Sequence, residues 1–317
     1  MNTRVCAIVV TFNRLETLKT AIAHVLAQVV KPAEIVIVDN NSTDGTQEYL
    51  RSLQGENNIH CIFMESNTGS AGAISKGMTY GLAKNTFDYF WIMDDDTFYA
   101  PNALKDLIEN IEETPFVMLG LHGANFRMGK KVKVKPNIKL QEAEYAMIDG
   151  AIIKADVVRR IGTVCEDFFM MCDDHEYSIR IRKNGFRLGV LKNGADDRRL
   201  LGGGEQFTKT TLWRGYYSAR NHTFIIKKHF SLPEFIAYVY HQAKLLIITA
   251  ILAPDRYQRV KFRLMGLWHG IKDMGGRTLD PDTLEFVTDE KASREAEKFK
   301  SPEPGYINAG KAVVTSK

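Results

Sequence analysis

Along the first 120 residues, short continuous apolar runs alternate with longer stretches whose apolar residues recur three and four positions apart. The runs VCAIVV (5–10), EIVIVD (34–39), HCIFME (60–65), DYFWIMD (88–94) and FVMLGL (116–121) read as buried strands. The stretches Leu15 to Val29, Asp44 to Leu53, Ser70 to Ala83 and Pro101 to Ile111 read as helices. Strands and helices alternating over short connections predict an α/β fold, a mainly parallel sheet with helices on both faces. Open sheets of this kind bind ligands beyond the carboxyl ends of their strands. The segments to inspect are therefore Thr11 to Arg14, Asp39 to Asn41, Asn67 to Gly72 and Asp94 to Asp96.

From 122 to 200 the pattern is mixed. KKVKV (130–134) reads as a basic strand at a sheet edge, where lysines discourage further pairing. AMIDGAIIK (146–154) places two apolar runs around an Asp-Gly turn. Asp174 to Lys183 reads as a helix stopped at Asn184-Gly185, and FRLGVL (186–191) as another strand. From 207 only helices are expected: Phe207 to Phe230, Pro233 to Ala253, and a third after Pro254. The longest apolar stretch, Leu245 to Ala253, is too short to span a bilayer but long enough for a buried or interfacial helix. Residues 254–277 carry Arg256, Arg259, Lys261, Arg263, Lys272 and Arg277 among apolar and aromatic side chains. They resemble an interfacial membrane anchor; a plain helical subdomain or an oligomer interface is the alternative. The polar tail 296–317 is expected to be disordered.

Composition narrows the picture modestly. With 317 residues, 44% apolar and 25% charged, the chain suits a soluble globular enzyme rather than a disordered or disulfide-scaffolded protein. A net charge of +4 is too small to suggest a nucleic-acid binder. Cys6, Cys61, Cys165 and Cys172 form no CxxC pair, and Cys165, Cys172 and His175 fit no zinc spacing. Free thiols and a reducing compartment follow. The start of the chain does not read as a signal peptide, so a cytoplasmic location is expected.

Candidate chemistry gathers at the strand ends. Asp94-Asp95-Asp96 follows YFWIM directly. Neighbouring carboxylates raise one another's pKa unless a cation compensates, and hard oxygen ligands suit Mg2+ or Mn2+; the alternative is an exposed acidic turn before the next helix. Asp39 can accept from a base or ribose, or close an Asx-turn. The stretch Asn67 to Ala73 permits close approach at a helix start, although it is neither a Walker A nor a GxGxxG sequence. Asp173-Asp174-His175-Glu176 opens a helix after FFMM, where a carboxylate with a raised pKa can act as a general base, or simply favour the helix start. Arg220 and Asn221 are candidates for phosphate or sugar contact, or core residues with Trp213, Tyr216 and Tyr217; His222, His229 and His241 read as surface or core.

Taken together and in order, IVVTFNR (8–14), IVIVDNNSTDGT (35–46), NTGSAG (67–72), WIMDDDT (91–97), DGAIIKADVVRRIG (149–162), EDFFMMCDDHEYSIRIRKNGFRLG (166–189) and WRGYYSARN (213–221) resemble glycosyltransferase family 2, the inverting enzymes with a GT-A fold. The resemblance covers roughly 1–225 and implies a Rossmann-like, mainly parallel central sheet with flanking helices. A C-terminal helical region, 226–295, would follow. It implies that Thr11, Asn13 and Arg14 contact the nucleotide, that Asp39 reads base and ribose, and that Asn67 and Gly69 border the donor pocket. Asp94 and Asp96 match the metal positions (Mn2+ or Mg2+), and Asp95 would face the donor sugar. Asp174 matches the general base, paired with Asp173. WIMDDD with a later DDHEY most resembles galactofuranosyl- and rhamnosyltransferases of bacterial cell-surface glycans, implying UDP-galactofuranose or dTDP-rhamnose as donor and a glycan or lipid-linked acceptor. Galactofuranosyltransferases add a metal-binding histidine after the strand that follows the base. Here that region, LKNGADDRRLLGGG (191–204), has none, leaving Asp196, Asp197 or a water to complete the shell. Peripheral membrane contact through 254–277 and homo-oligomerisation are further expectations. A nucleotidyltransferase and a non-catalytic glycan- or membrane-binding module are the rival readings.

Overall fold

The computed structural model describes residues 3–127, 130–135, 138–192, 196–199 and 211–287. The expected helix start at 207–210 and the tail at 296–317 lie outside them. The first half runs β1 (Val5–Thr11), α1 (Leu15–Leu26), β2 (Glu34–Asp39), α2 (Thr46–Leu53), β3 (Ile59–Phe63), α3 (Gly69–Lys84), β4 (Tyr89–Asp94), β5 (Thr97–Tyr99), α4 (Ala103–Glu112) and β6 (Phe116–Gly120). Then come β7 (Gly123–Arg127), β8 (Lys130–Lys133), β9 (Leu140–Ala143), β10 (Tyr145–Ala146), β11 (Ile152–Lys154) and α5 (Ala155–Ile161). The chain continues through α6 (Asp173–Lys183), β12 (Arg187–Leu191), β13 (Asp196–Arg198), α7 (Leu212–Lys228), α8 (Leu232–Leu252) and α9 (Arg256–Ile271).

Eight strands form the central sheet in the order β3-β2-β1-β4-β11-β6-β12-β9. β1 is buried along its whole length because both sheet faces are covered, which is why its sequence shows no polar alternation. α1 contributes Leu18, Ala21, Ile22 and Val25, one apolar stripe at helical spacing. α3 packs closely: a Cβ at Gly77 would stand 2.5 Å from Ile8 Cγ2. The order corrects a simple reading of the alternation. β4 and β6 are not neighbours, because β11 inserts between them, antiparallel to both. The Asp-Gly turn at 149–150 brings it there. β8 lies at the edge of a separate three-stranded sheet, β10-β7-β8, and β13 pairs with β5.

α1 stops at Leu26 rather than Val29; Val29 instead donates its N–H to the Pro101 carbonyl. α7 runs unbroken across residue 225, so the boundary expected there falls inside a helix. α7 packs on α9 around Tyr216, Tyr217 and Phe262. α8 is different. It is long and apolar enough to cross a membrane, a property that Glu234, His241 and Lys244 conceal when only uninterrupted runs are counted. Of its residues only Gln242 and Thr249 are buried, while Phe235, Ile236, Val239, Tyr240, Ile247 and Ile251 are exposed. The basic stretch 254–277 is less basic at its surface than its sequence suggests. Arg259 is buried and donates to the Pro254 carbonyl, buried Arg263 donates to Gln242 Oε1, and Arg277 pairs with Asp280. Arg256, Lys261 and Lys272 remain exposed.

Candidate active site

β1 and β4 are parallel neighbours with Val10 opposite Asp94, so their carboxyl ends open side by side. Thr11 Oγ1 donates to Asp95 Oδ2 at 2.7 Å, and Arg14 Nη1 donates to Asp95 Oδ1 at 2.9 Å and Asp96 Oδ2 at 3.0 Å. Burial raises the Asp95 pKa, and Arg14 and Thr11 oppose the rise. Asp95 thus lines the cavity with both oxygens engaged inside the protein. Asp94 is pushed well above the usual carboxylate range, first by burial and then by Asp149, Asp96 and Asp95.

Asp149, to which the sequence reading gave no role, organises this corner from the turn before β11. It accepts from the Asp94 N–H (3.0 Å), Thr97 Oγ1 (2.8 Å), Tyr99 Oη (2.7 Å) and Arg198 Nε (2.7 Å). The Asp-Gly turn signal between two apolar runs marked the position but not its partners. Four carboxylates therefore meet, and Arg14 and Arg198 form ion pairs with three of them. The Asp94 carboxylate has no hydrogen bond or ion pair among the described residues. Such an excess of hard oxygen donors fits a divalent cation. No set of three or more His, Cys, Asp or Glu side chains converges as a complete metal cage among the described residues. A cation here would thus rely on few protein ligands and take its other oxygens from substrate and water.

The proposed third ligands are otherwise engaged. Asp196 Oδ2 lies 2.6 Å from His122 Nε2, and exposed Asp197 pairs with Arg199 at 2.8 Å. Neither is among the cavity's lining residues, whereas Arg198, directly after them, is. The short pairing of β13 with β5 directs Arg198, a cation, onto Asp149.

The other loops divide into those that line the cavity and those that brace it. The cavity encloses about 1340 Å³, and Thr11, Arg14, Asn67 and Gly69 contribute to its wall. Asn13 and Asp39 do not. Asp39 is fully buried, and its carboxylate accepts the Ser42 N–H three residues on, bracing the second loop. Asn13 Oδ1 accepts the Thr43 N–H at 2.7 Å, tying the first loop to the second. Asn40, unassigned from the sequence, does line the cavity and bonds to Asn67 Oδ1 and the Gly69 carbonyl. Gly69 has φ +73°, and a Cβ there would lie 2.0 Å from the Phe169 carbonyl oxygen. Contact with the loop before α6 therefore requires this glycine, whatever binds beside it.

That loop carries the second acidic pair. Phe169, Met171 and Cys172 all have positive φ, a conformation that non-glycine residues adopt only when their surroundings hold them. Asn221 Nδ2 donates to the Phe168, Met170 and Met171 carbonyls at 2.9, 2.8 and 2.7 Å. Arg220 donates to the Asp167 and Phe168 carbonyls and to Thr278 Oγ1. Both side chains are fully buried, and neither lines the cavity. The contact with a phosphate or sugar entertained for them is therefore replaced by a role in holding the loop. Tyr216 and Tyr217 are core residues, whereas Trp213 lines the cavity.

Asp173 and Asp174 begin α6, and both line the cavity. Burial, then the Asp174 charge, pushes Asp173 up to about 7. Asp174 Oδ2 accepts from the Tyr145 hydroxyl, and Oδ1 accepts the His175 N–H at 2.8 Å. His175 stacks on Phe126 with ring centroids 4.6 Å apart. His222 and His241 also line the cavity, and His229 is buried against Glu176.

A model of the family described as "Glycosyl transferase family 2" matches residues 6–175, more than half of the chain and both acidic sets. The chain is 28% identical over 147 residues to the poly-beta-1,6-N-acetyl-D-glucosamine synthase of Staphylococcus aureus (strain COL), covering 46% of this chain and 34% of that protein. The Staphylococcus epidermidis protein of the same name is 28% identical over 141 residues, 44% of this chain and 32% of that one. The chain thus spans about a third of the length of these curated relatives. Among solved structures it resembles S. aureus TarS 1–349, with TM-score 0.56, 15% identity, and 85% and 81% of the two chains covered. It also resembles the mannosyltransferase PcManGT from Pyrobaculum calidifontis, in complex with GDP-Man and Mn2+, with TM-score 0.54, 14% identity, and 93% and 79% covered. At these identities the structures speak for the fold alone, and that fold is GT-A. With the family match spanning the strand ends that build the site, the chain belongs to glycosyl transferase family 2.

Proposed function

We propose that this protein is an inverting, metal-dependent glycosyltransferase. It moves a sugar from a nucleoside-diphosphate sugar to a hydroxyl of a glycan or lipid-linked acceptor. The observation that carries the reading is that two acidic sets, Asp94 to Asp96 at the end of β4 and Asp173-Asp174 at the start of α6, line one cavity. Thr11, Arg14, Asn67 and Gly69 border the donor side, braced by Asn13 and Asp39, and Asp95 fixes Arg14 there. Asp94 and Asp96 would hold Mn2+ or Mg2+, which when bound neutralises the diphosphate leaving group. Arg198 and Arg214, also in the cavity wall, add positive charge on the same side.

Asp174 removes the proton from the acceptor hydroxyl as its oxygen bonds to the anomeric carbon. The bond to the diphosphate breaks on the opposite face, so configuration inverts. Tyr145 orients the carboxylate by donating to its other oxygen. Galactofuranose and rhamnose are the favoured sugars, on the strength of the WIMDDD and DDHEY resemblance. The exposed apolar face of α8, with Arg256, Lys261 and Lys272 nearby in sequence, suits a peripheral contact with an anionic membrane surface on the cytoplasmic side. A surface contact fits better than a span, because the other side of α8 lines the cavity and buries Gln242 against Arg263.

The deciding assay incubates the protein with Mn2+ and a panel of nucleotide sugars and identifies the released product. Nucleoside diphosphate is expected, whereas pyrophosphate would replace the reading with nucleotidyl transfer. Asp174→Asn should abolish transfer and leave donor binding nearly intact; equal loss of both would make Asp174 structural.

A further inference from the structure

The cavity continues past Asp174, away from the acidic cluster, between α6, α7 and α8. Its wall there is largely apolar: Ile179 from α6, Ile225 and Ile226 from α7, and Pro233, Ala237 and Tyr238 from α8. His222 and His241 also line it, and burial holds both below the usual histidine range, so they are neutral at pH 7. The charged groups of this arm are Arg182 on α6 and Glu234 on α8. Arg182 Nε is buried and has no hydrogen-bond partner among the described residues. Its guanidinium forms no ion pair among the described residues, Glu234 included. An arginine lining an apolar channel without a counter-anion is arranged to receive one, and its planar fork matches phosphate in particular.

Spacing adds a constraint. Asp174 and Arg182 are eight residues apart on one helix, about 12 Å along its axis. A group bound at Arg182 is therefore well separated from the hydroxyl that Asp174 deprotonates, with space for sugar between them. Beyond the same arm, α8 carries its exposed apolar side chains, including Phe235, Ile236, Val239 and Tyr240.

Building on the transferase reading, we propose that this arm is the acceptor site and that it takes a saccharide joined through a phosphate to an apolar chain. Arg182 pairs with the phosphate. Ile225, Ile226 and Ala237 cover the start of the chain, and the rest passes over α8 toward a bilayer.

Calorimetric titration of the full chain tests this with three probes, each below its micelle concentration: decyl phosphate, inorganic phosphate and decyl glucoside. Decyl phosphate is expected to bind at least 10-fold tighter than either of the others. Arg182→Gln should weaken decyl phosphate about 10-fold, and Ala237→Glu should block it. Neither variant should change binding of UDP, GDP or dTDP with Mn2+ by more than twofold. Equal affinity of the parent and Arg182→Gln for decyl phosphate would overturn the proposal. Decyl glucoside or inorganic phosphate binding as tightly as decyl phosphate would also do so. Retained nucleotide binding in those cases leaves the transferase reading standing, whereas loss of nucleotide binding by the parent protein removes both.

Discussion

Replacing Asn221 by alanine isolates the device that holds the catalytic loop. The Asn221 amide donates to three carbonyls of the loop, at 2.7 to 2.9 Å, in a fully buried setting. A buried hydrogen bond contributes about 1 kcal/mol net, and a carbonyl left unpaired costs at least as much, so three together amount to about 3 kcal/mol. The loop they restrain holds Phe169, Met171 and Cys172 at positive φ, and each such residue costs on the order of 1–3 kcal/mol. Released, the loop relaxes toward ordinary backbone and carries the start of α6 with it. A displacement of about 1 Å at a reacting group costs on the order of 100-fold in rate. Urea unfolding should therefore show a loss of about 3 kcal/mol. Steady-state transfer, measured well below the new melting temperature, should show kcat down about 100-fold. Donor affinity should stay within twofold, because among the described residues the Asn221 amide donates to the loop before α6 and to none of the donor loops. The reasoning fails if stability falls as calculated while kcat stays within twofold of the parent. It fails equally if donor affinity collapses along with kcat.

Gly69→Ala should cost on the order of 3 kcal/mol in urea unfolding, since the new Cβ would lie 2.0 Å from the Phe169 carbonyl at a positive φ; an unchanged midpoint would show that the two loops separate without penalty. Asp173, raised to about 7 in the fold from an unfolded value near 4, holds its proton more tightly when folded, so its stabilising contribution is complete at low pH and is lost as pH rises through 7. Asp173→Asn should therefore gain on the parent between about pH 4 and pH 7, and urea melts across that window that diverge in the opposite sense would refute the assignment. Asp94→Asn should reduce Mn2+-dependent binding of nucleoside diphosphate at least 10-fold while leaving metal-free binding unchanged; full transfer in excess chelator would remove the metal altogether. Ile247→Glu with Ile251→Glu should abolish flotation with liposomes containing phosphatidylglycerol, and sedimentation that reports dissociation of a dimer instead would assign the face to a second copy.

Much of the α/β half was legible because its strands are buried on both faces and its helices carry a single apolar stripe, patterns that burial writes directly into residue order. β2 and β4 occur where their apolar runs stand, and the acidic triad falls at the strand end as expected. The donor-side residues were harder to sort. Asp39 and Asn67 look alike as polar residues after strands, yet one is buried against the backbone of its own loop, away from the cavity, and the other lines it. Local sequence gives no direction to a loop side chain.

The sequence by itself determined the strand-helix alternation of the first half, the family, the acidic triad and the acidic pair, because each depends on residues close together in the chain. Only the tertiary structure decided which of them share a space and with what partners. β11 enters the sheet between β4 and β6 and delivers Asp149 beneath Asp94. Arg220 and Asn221 reach the loop before α6 from a helix some fifty residues later. The cations of 254–277 divide into buried and exposed only when α9 has packed on α7 and α8. Contacts of this kind join positions far apart in the chain, and their energies come from burial and pairing, which residue order alone does not encode.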